Sequence, residues 1–188
     1  MVIYNLIIFA SWLVLIAYWM LLGVRAKRSV RGQRRWAWEI GVRLAIFVLV
    51  LFAVHVLGVH RIRRYAANTN LIAGFVGAAL CACGVIFAVW ARVSLGRNWG
   101  MPMSEKANPE LVTTGPYTHV RHPIYAGILL AMFGSAIGQS VLWALPLLIA
   151  GPYFVYSARR EERQMAEQFP LQYPQYKKRT RMLIPFIL

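Results

Sequence analysis

Residues 124–157, IYAGILLAMFGSAIGQSVLWALPLLIAGPYFVYS, run for 34 positions without a Lys, Arg, Asp or Glu. A helix that crosses a bilayer needs about 20 mostly apolar residues. The run is too long for one crossing and suits two short ones. The polar break Gly138-Gln139-Ser140 is the natural hinge. The reading is a helical hairpin, Ile124–Ile137 and Val141–Ser157, with each arm short enough to need tilt or partial burial.

Upstream, three more stretches have the length and apolarity of a span: Val2–Val24, Ile40–Val59 and Leu71–Val93. Arg43 and Arg92 lie near span ends, where a long side chain can reach the interface. The expectation is an all-α integral membrane protein of about five transmembrane helices, the last two a hairpin, followed by a cytoplasmic helical segment. Composition agrees. The 188 residues are 59% apolar and 14% charged, whereas a soluble domain is nearer half apolar and a quarter charged. A disordered basic tail is never so apolar. A cleaved signal peptide at Val2–Val24 fits poorly, because such peptides begin with positive charge and here the charge follows the run. One membrane domain, 1–188, is expected, with three N-terminal spans in 1–93 and a functional half in 94–188.

Loop charge sets orientation. Arg25, Lys27, Arg28, Arg31, Arg34 and Arg35 follow the first span. Arg97, Lys106 and Arg121 follow the third, and Arg159, Arg160, Arg163, Lys177, Lys178, Arg179 and Arg181 follow the fifth. With five spans these fall on one side, against Arg61, Arg63 and Arg64 on the other. The N-terminus is therefore expected outside and the C-terminus in the cytoplasm. The net charge of +15 reads as juxtamembrane charge meeting anionic lipid. No base-reading motif is present, so no nucleic-acid partner is expected.

Cys81 and Cys83 lie two apart within the third span and point to different helix faces. His55, His60, His119 and His122 make no metal-ligand spacing, and no Walker loop or GxGxxG occurs. No metal is expected. Aspartate is absent, so any carboxylate chemistry draws on Glu39, Glu105, Glu110, Glu161, Glu162 and Glu167.

Beyond Leu95 the sequence becomes more specific. Pro109–Tyr117 reads as a short extended piece and a turn. In Val120-Arg121-His122-Pro123-Ile124-Tyr125-Ala126-Gly127, Pro123 suits the first turn of the fourth span. A helix start with free N–H groups suits an anion, with Arg121 and His122 as extra donors; interface anchors are the plainer reading. Glu161-Glu162 fits either a solvated, salt-bridged helix or a carboxylate placed to bind a ligand's ammonium or hydroxyl groups.

Taken together, Gly115-Pro116-Tyr117, Arg121-His122-Pro123-x-Tyr125, Glu161-Glu162, Phe169-x3-Tyr173-x2-Tyr176 and Ile184-Pro185 resemble the isoprenylcysteine carboxyl methyltransferase family, with more distant kin among phospholipid N-methyltransferases. The resemblance covers roughly Leu95–Pro185 and implies methylation with S-adenosylmethionine at the cytoplasmic membrane surface, releasing S-adenosylhomocysteine. It implies that Tyr117, Arg121, His122, Pro123, Ile124 and Tyr125 line the cofactor pocket. Leu111 and Val112, within Pro109–Val112, would supply backbone contacts. Glu161 would hold the cofactor, with Glu162 as the register alternative.

The family commonly has an arginine four residues before its cofactor glutamate, expected to steer a substrate carboxylate. Here those positions are Ser157 and Ala158, and Arg159 and Arg160 are the nearest cations. The implied catalytic set is Glu161, Glu162 and Arg159. The implied acceptor is lipophilic: the carboxyl group of an isoprenylcysteine-like group on a prenylated partner, or an isoprenoid or lipid acid. A phospholipid amine is the alternative acceptor. A third reading, a non-enzymatic scaffold or small transporter, lacks the mid-membrane acid or charge pair that marks ion pathways.

Overall fold

A computed structural model describes residues 3–23, 67, 69–96 and 110–184. The predicted second span Ile40–Val59, the basic loops after the first and second spans, Arg97, Lys106, Pro109 and Pro185 lie outside the described residues. The described part contains five α-helices: α1 (Ile3–Gly23), α2 (Leu71–Leu95), α3 (Pro123–Gly138), α4 (Ala144–Gln168) and α5 (Gln172–Arg179). Two short 3-10 turns, Gly115–Thr118 and Val141–Trp143, precede α3 and α4.

Three of these segments, Ile3–Leu21, Leu71–Leu95 and Val141–Gln168, are long and apolar enough to cross a membrane, and Pro123–Gly138 is a shorter apolar helix. The predicted hairpin therefore forms with its turn at the predicted hinge. It differs in one respect: α4 does not stop at Ser157 but runs on to Gln168. The apolar part of α4 ends at Ala158, and the charged stretch from Arg159 onward continues the same helix beyond it. A 25-residue helix is about 37 Å long at 1.5 Å per residue, more than the roughly 30 Å hydrocarbon layer.

The core is the α2–α3 contact. Gly77, Gly84 and Ala88 on α2 meet Gly127, Ala131, Gly134 and Gly138 on α3. Small residues at helical spacing let two backbones touch, and lipid-embedded helices associate by such packing. A Cβ added at Gly84 would stand 2.5 Å from both the Ala131 nitrogen and the Gly127 oxygen. One added at Gly77 would collide with the Gly138 backbone. Cys81 is buried in this seam and Cys83 is exposed, as their spacing predicts.

Helix α1 lies against α2 in the same direction. The Tyr4 ring covers Gly74 near the start of α2, Ile8 reaches Gly138, and Trp19 and Val89 border the same core farther along. Trp12 donates its indole N–H to Ser135 Oγ at 3.0 Å and stacks on Trp143, with ring centroids 5.3 Å apart. At the far end Gly115, at φ +62°, brings the 3-10 turn against Ser94. A side chain there would meet both an unfavourable backbone region and the Ser94 hydroxyl, 2.6 Å from the added atom.

Candidate functional site

Residues three and four apart share a helix face. On α4 this places Phe154, Ser157 and Glu161 in one row, and Ala158 and Glu162 in the next. The start of α3 lies opposite. Tyr125 donates its hydroxyl to Glu161 Oε1 at 2.6 Å, and Ser157 Oγ donates to the same oxygen at 3.2 Å. The Tyr125 and Ser157 hydroxyls are themselves 3.2 Å apart. The Tyr125 ring is stacked between His122, centroids 5.5 Å apart, and Phe154, 4.5 Å apart. His122 Nδ1 stands 3.5 Å from Glu161 Oε2 and its Nε2 stands 3.7 Å from Glu162 Oε1. Buried Nε2 makes no hydrogen bond to the described residues.

Glu162 has different neighbours. Arg121 Nε donates to Oε1 at 2.6 Å and Lys177 Nζ contacts Oε2 at 2.7 Å. Arg121 also donates from Nη1 to the Thr180 carbonyl at 2.5 Å. The chain after α5 pairs with the residues before α3: the Arg121 N–H donates to Arg181 O at 2.8 Å, the His122 N–H to Met182 O at 3.0 Å, and the Arg181 N–H to His119 O at 3.0 Å. Tyr176 donates its hydroxyl to the Tyr117 carbonyl at 2.7 Å. Burial pushes the Tyr176 hydroxyl up to about 12 and, chiefly for the same reason, raises that of Tyr117. Both stay protonated at neutral pH.

The structure thus brings together Tyr117, Arg121, His122, Tyr125, Glu161 and Glu162. Pro123 is buried at the first position of α3, and Ile124 packs beside Tyr125 and Ala158. Leu111 and Val112 are half-buried just before the 3-10 turn. Arg159 is exposed; two residues before Glu161, it sits about 200° around the helix, away from the cluster. Glu162 is not the solvated i,i+4 pair that one reading expected: it is buried and reaches across to Arg121 and Lys177 on other elements. Sequence reading missed Phe154 and Thr180, and it named Tyr176 only within the resemblance and Lys177 only as loop charge, with no place in the cluster for either. For Phe154 a signal existed, since it lies seven residues before Glu161, two turns along the same face.

Burial alone disfavours charge on Glu162, but His122, Lys177 and Arg121 outweigh it and hold its carboxyl at about 2, against an ordinary 4.5. A depressed folded-state value gives stability that is fully present above the ordinary pKa and lost as pH falls toward the depressed one. The melting temperature in detergent is expected to fall as pH drops from 4.5 toward about 2. Glu162→Gln, less stable near neutrality, should show a shallower fall; equal slopes would leave the cluster without a stabilising role. His122 titrates in the opposite sense. Burial disfavours its imidazolium, yet Glu161 and Glu162 raise its pKa above 6.5. Its contribution is present below that ordinary value and lost as pH rises through the raised one.

Residues 72–172, more than half of the chain, match the family model described as phospholipid methyltransferase. The chain is 31% identical over 142 residues to the nickel-cobalt-cadmium resistance protein NccN of Alcaligenes xylosoxydans xylosoxydans, covering 70% of this chain and 65% of that protein. It is 32% identical over 101 residues to the protein-S-isoprenylcysteine O-methyltransferase of Schizosaccharomyces pombe, covering 52% of this chain and 43% of that protein. With methanethiol S-methyltransferase 1 of Bradyrhizobium diazoefficiens it shares 34% identity over 91 residues, covering 44% of this chain and 28% of that protein. The chain therefore spans less than two thirds of the length of each of these relatives.

Proposed function

The chain belongs to the phospholipid methyltransferase family, and on that premise we propose that it methylates a lipophilic acceptor at the cytoplasmic membrane surface, with S-adenosylmethionine as donor. The observation that carries this reading is the meeting of His122, Tyr125 and Glu161, from two helices, at one end of the bundle. The donor set suits the cofactor. His122 Nε2, buried without a hydrogen bond although 3.7 Å from Glu162 Oε1, is the donor that suits the carboxylate of its amino-acid part. Glu161, still 26% exposed, suits its ammonium or ribose hydroxyls, and flat aromatic faces suit its adenine.

When bound, S-adenosylmethionine supplies a methyl group on a sulfonium for direct displacement by a nucleophile, a reaction that uses no metal. The chain's own part is alignment and exclusion of water, which together contribute several kcal/mol. Tyr125 and Ser157 orient the Glu161 carboxylate, and Phe154 and Tyr125 wall the apolar side of the cluster. Leu111 and Val112 are assigned backbone contacts to the cofactor, and Pro123 and Ile124 its lining.

For the acceptor, the first reading is a carboxyl group of an isoprenylcysteine-like or other lipid acid. The name of the fission-yeast relative supports it, and a carboxylate needs no base. A phospholipid amine is the second reading. It is favoured by Ser157, a buried hydroxyl bonded to Glu161 at the position where the family commonly has an arginine. An amine must first lose its proton, so a base would matter. Membranes containing the overexpressed protein, supplied with methyl-labelled donor, separate the two. A base-labile methyl ester supports the carboxylate, label in products of phosphatidylethanolamine supports the amine, and label in no lipophilic product rejects both.

We also place the chain across the bilayer five times as a single membrane domain, its functional half being 94–188. α1 and α2 run in the same direction, which puts Gly23 and Leu71 at opposite ends of the bundle and supports counting the predicted span Ile40–Val59 as a crossing. The distribution of arginine and lysine puts the site and C-terminus on the cytoplasmic side and the N-terminus outside.

A further inference from the structure

Glu161 and Glu162 are neighbours in sequence with unlike surroundings. Both oxygens of Glu162 are occupied, Oε1 by Arg121 at 2.6 Å and Oε2 by Lys177 at 2.7 Å, and its side chain is only 4% exposed. A cationic ligand group could reach it only by displacing a cation already paired there. Separating a buried, hydrogen-bonded charge pair is costly because one charge is left uncompensated. The partners of Glu162 also have something in common: each ties down the C-terminal segment. Lys177 belongs to α5. Arg121 grips Thr180 O and also donates to Lys177 O at 3.3 Å. The segment beyond α5 then forms its backbone bonds to His119, Arg121 and His122, and Leu183 is buried with Tyr125 and Ala158.

We infer that Glu162 is a latch rather than a ligand: it fastens the C-terminal segment Tyr173–Leu183 across the start of α3, and so positions His122 and Tyr125 against Glu161. The inference deepens the proposed function, and its positioning half rests on that reading. The mechanical sequence is short. Glu162 holds Arg121 and Lys177, those two hold α5 and Thr180, and Met182 holds the backbone of His122. Loosening the latch leaves the α2–α3 seam intact, because that seam is built from other residues. It frees the segment that fixes the angle at which His122 enters α3. Glu162 is thereby a positioning residue, and the contact to the cofactor falls to Glu161.

The test uses the full chain purified in detergent and reads two quantities. One is the rate of tryptic cleavage at Lys178, Arg179 and Arg181. The other is S-adenosylhomocysteine affinity by calorimetry. Glu162→Gln is expected to speed cleavage and weaken binding, each by about tenfold, on the scale of one lost charged hydrogen bond. Glu162→Asp should recover part of both. Glu161→Gln should weaken binding by about 100-fold or more while cleavage stays at the wild-type rate. Should Glu162→Gln prove unfoldable, Lys177→Gln, at a side chain 53% exposed, should move both readouts the same way by a smaller factor. Wild-type cleavage in the Glu162→Gln variant overturns the latch. Faster cleavage with unchanged affinity overturns the positioning role. Absence of binding by the wild type is a failure of the proposed function instead, and the cleavage comparison still decides the latch.

Discussion

Glu161→Gln is expected to weaken S-adenosylhomocysteine binding by about 100-fold or more, with methyl transfer lost in proportion. Hydrogen bonds to a charged group are worth about 1.5–3 kcal/mol each. Losing two of them, at about 1.4 kcal/mol per tenfold, gives that factor. Glutamine keeps the shape and can still accept from Tyr125, so the variant should fold and melt close to wild type. Calorimetry on the purified protein checks this directly. An affinity within about threefold of wild type would remove Glu161 from the site. Tyr125→Phe is a useful companion. It keeps the ring stacked between His122 and Phe154 but deletes the 2.6 Å hydrogen bond, and its effect should be smaller than that of Glu161→Gln.

The second large effect concerns folding. Gly84→Val should prevent accumulation of monodisperse protein in detergent, or lower its melting temperature sharply. The first added carbon already stands 2.5 Å from two backbone atoms of α3. No rotamer change relieves a clash with backbone, so α2 and α3 must separate and the seam opens along its length. Overpacking commonly costs about 1–3 kcal/mol, and a backbone collision lies at or beyond the top of that range. Against a total stability of about 5–15 kcal/mol, that is severe. Gly151→Ala is the control, since an added carbon there meets nothing within 4 Å. A Gly84→Val protein as stable as this control would mean that the seam does not hold the bundle.

Much of this architecture is legible in the chain. Apolar run length marks α1, α2 and the hairpin, because a bilayer imposes a minimum length that sequence displays directly. Gly138-Gln139-Ser140 marks the turn because polar groups are costly at membrane depth. Arg121, His122, Tyr125, Glu161 and Glu162 stand out as polar side chains near the ends of apolar runs. What sequence does not display is partnership. The glycines of α2 recur at helical spacing, but only the facing α3 shows that they let two backbones touch. Glu161 and Glu162 differ by about 100° around a helix, and nothing local says which of those directions holds cations. The pairing of Arg181–Met182 with His119–His122 joins segments about 60 residues apart by backbone groups, which every residue has. Arg159 shows the converse: its charge is plain in the sequence, but its exposed position, about 200° around the helix from Glu161, is not.

One consequence of the unbroken α4 concerns how a reactant arrives. Its last apolar turn ends at Ala158, and Glu161 follows three residues later, about 4.5 Å along the axis. The polar machinery therefore stands at the depth where acyl chains give way to headgroups. A molecule dissolved in the bilayer already has its head at that level. For the lipophilic acceptor we propose, partitioning would do the concentrating, diffusion would be confined to two dimensions, and encounter frequency would follow mole fraction in the membrane rather than molarity in water.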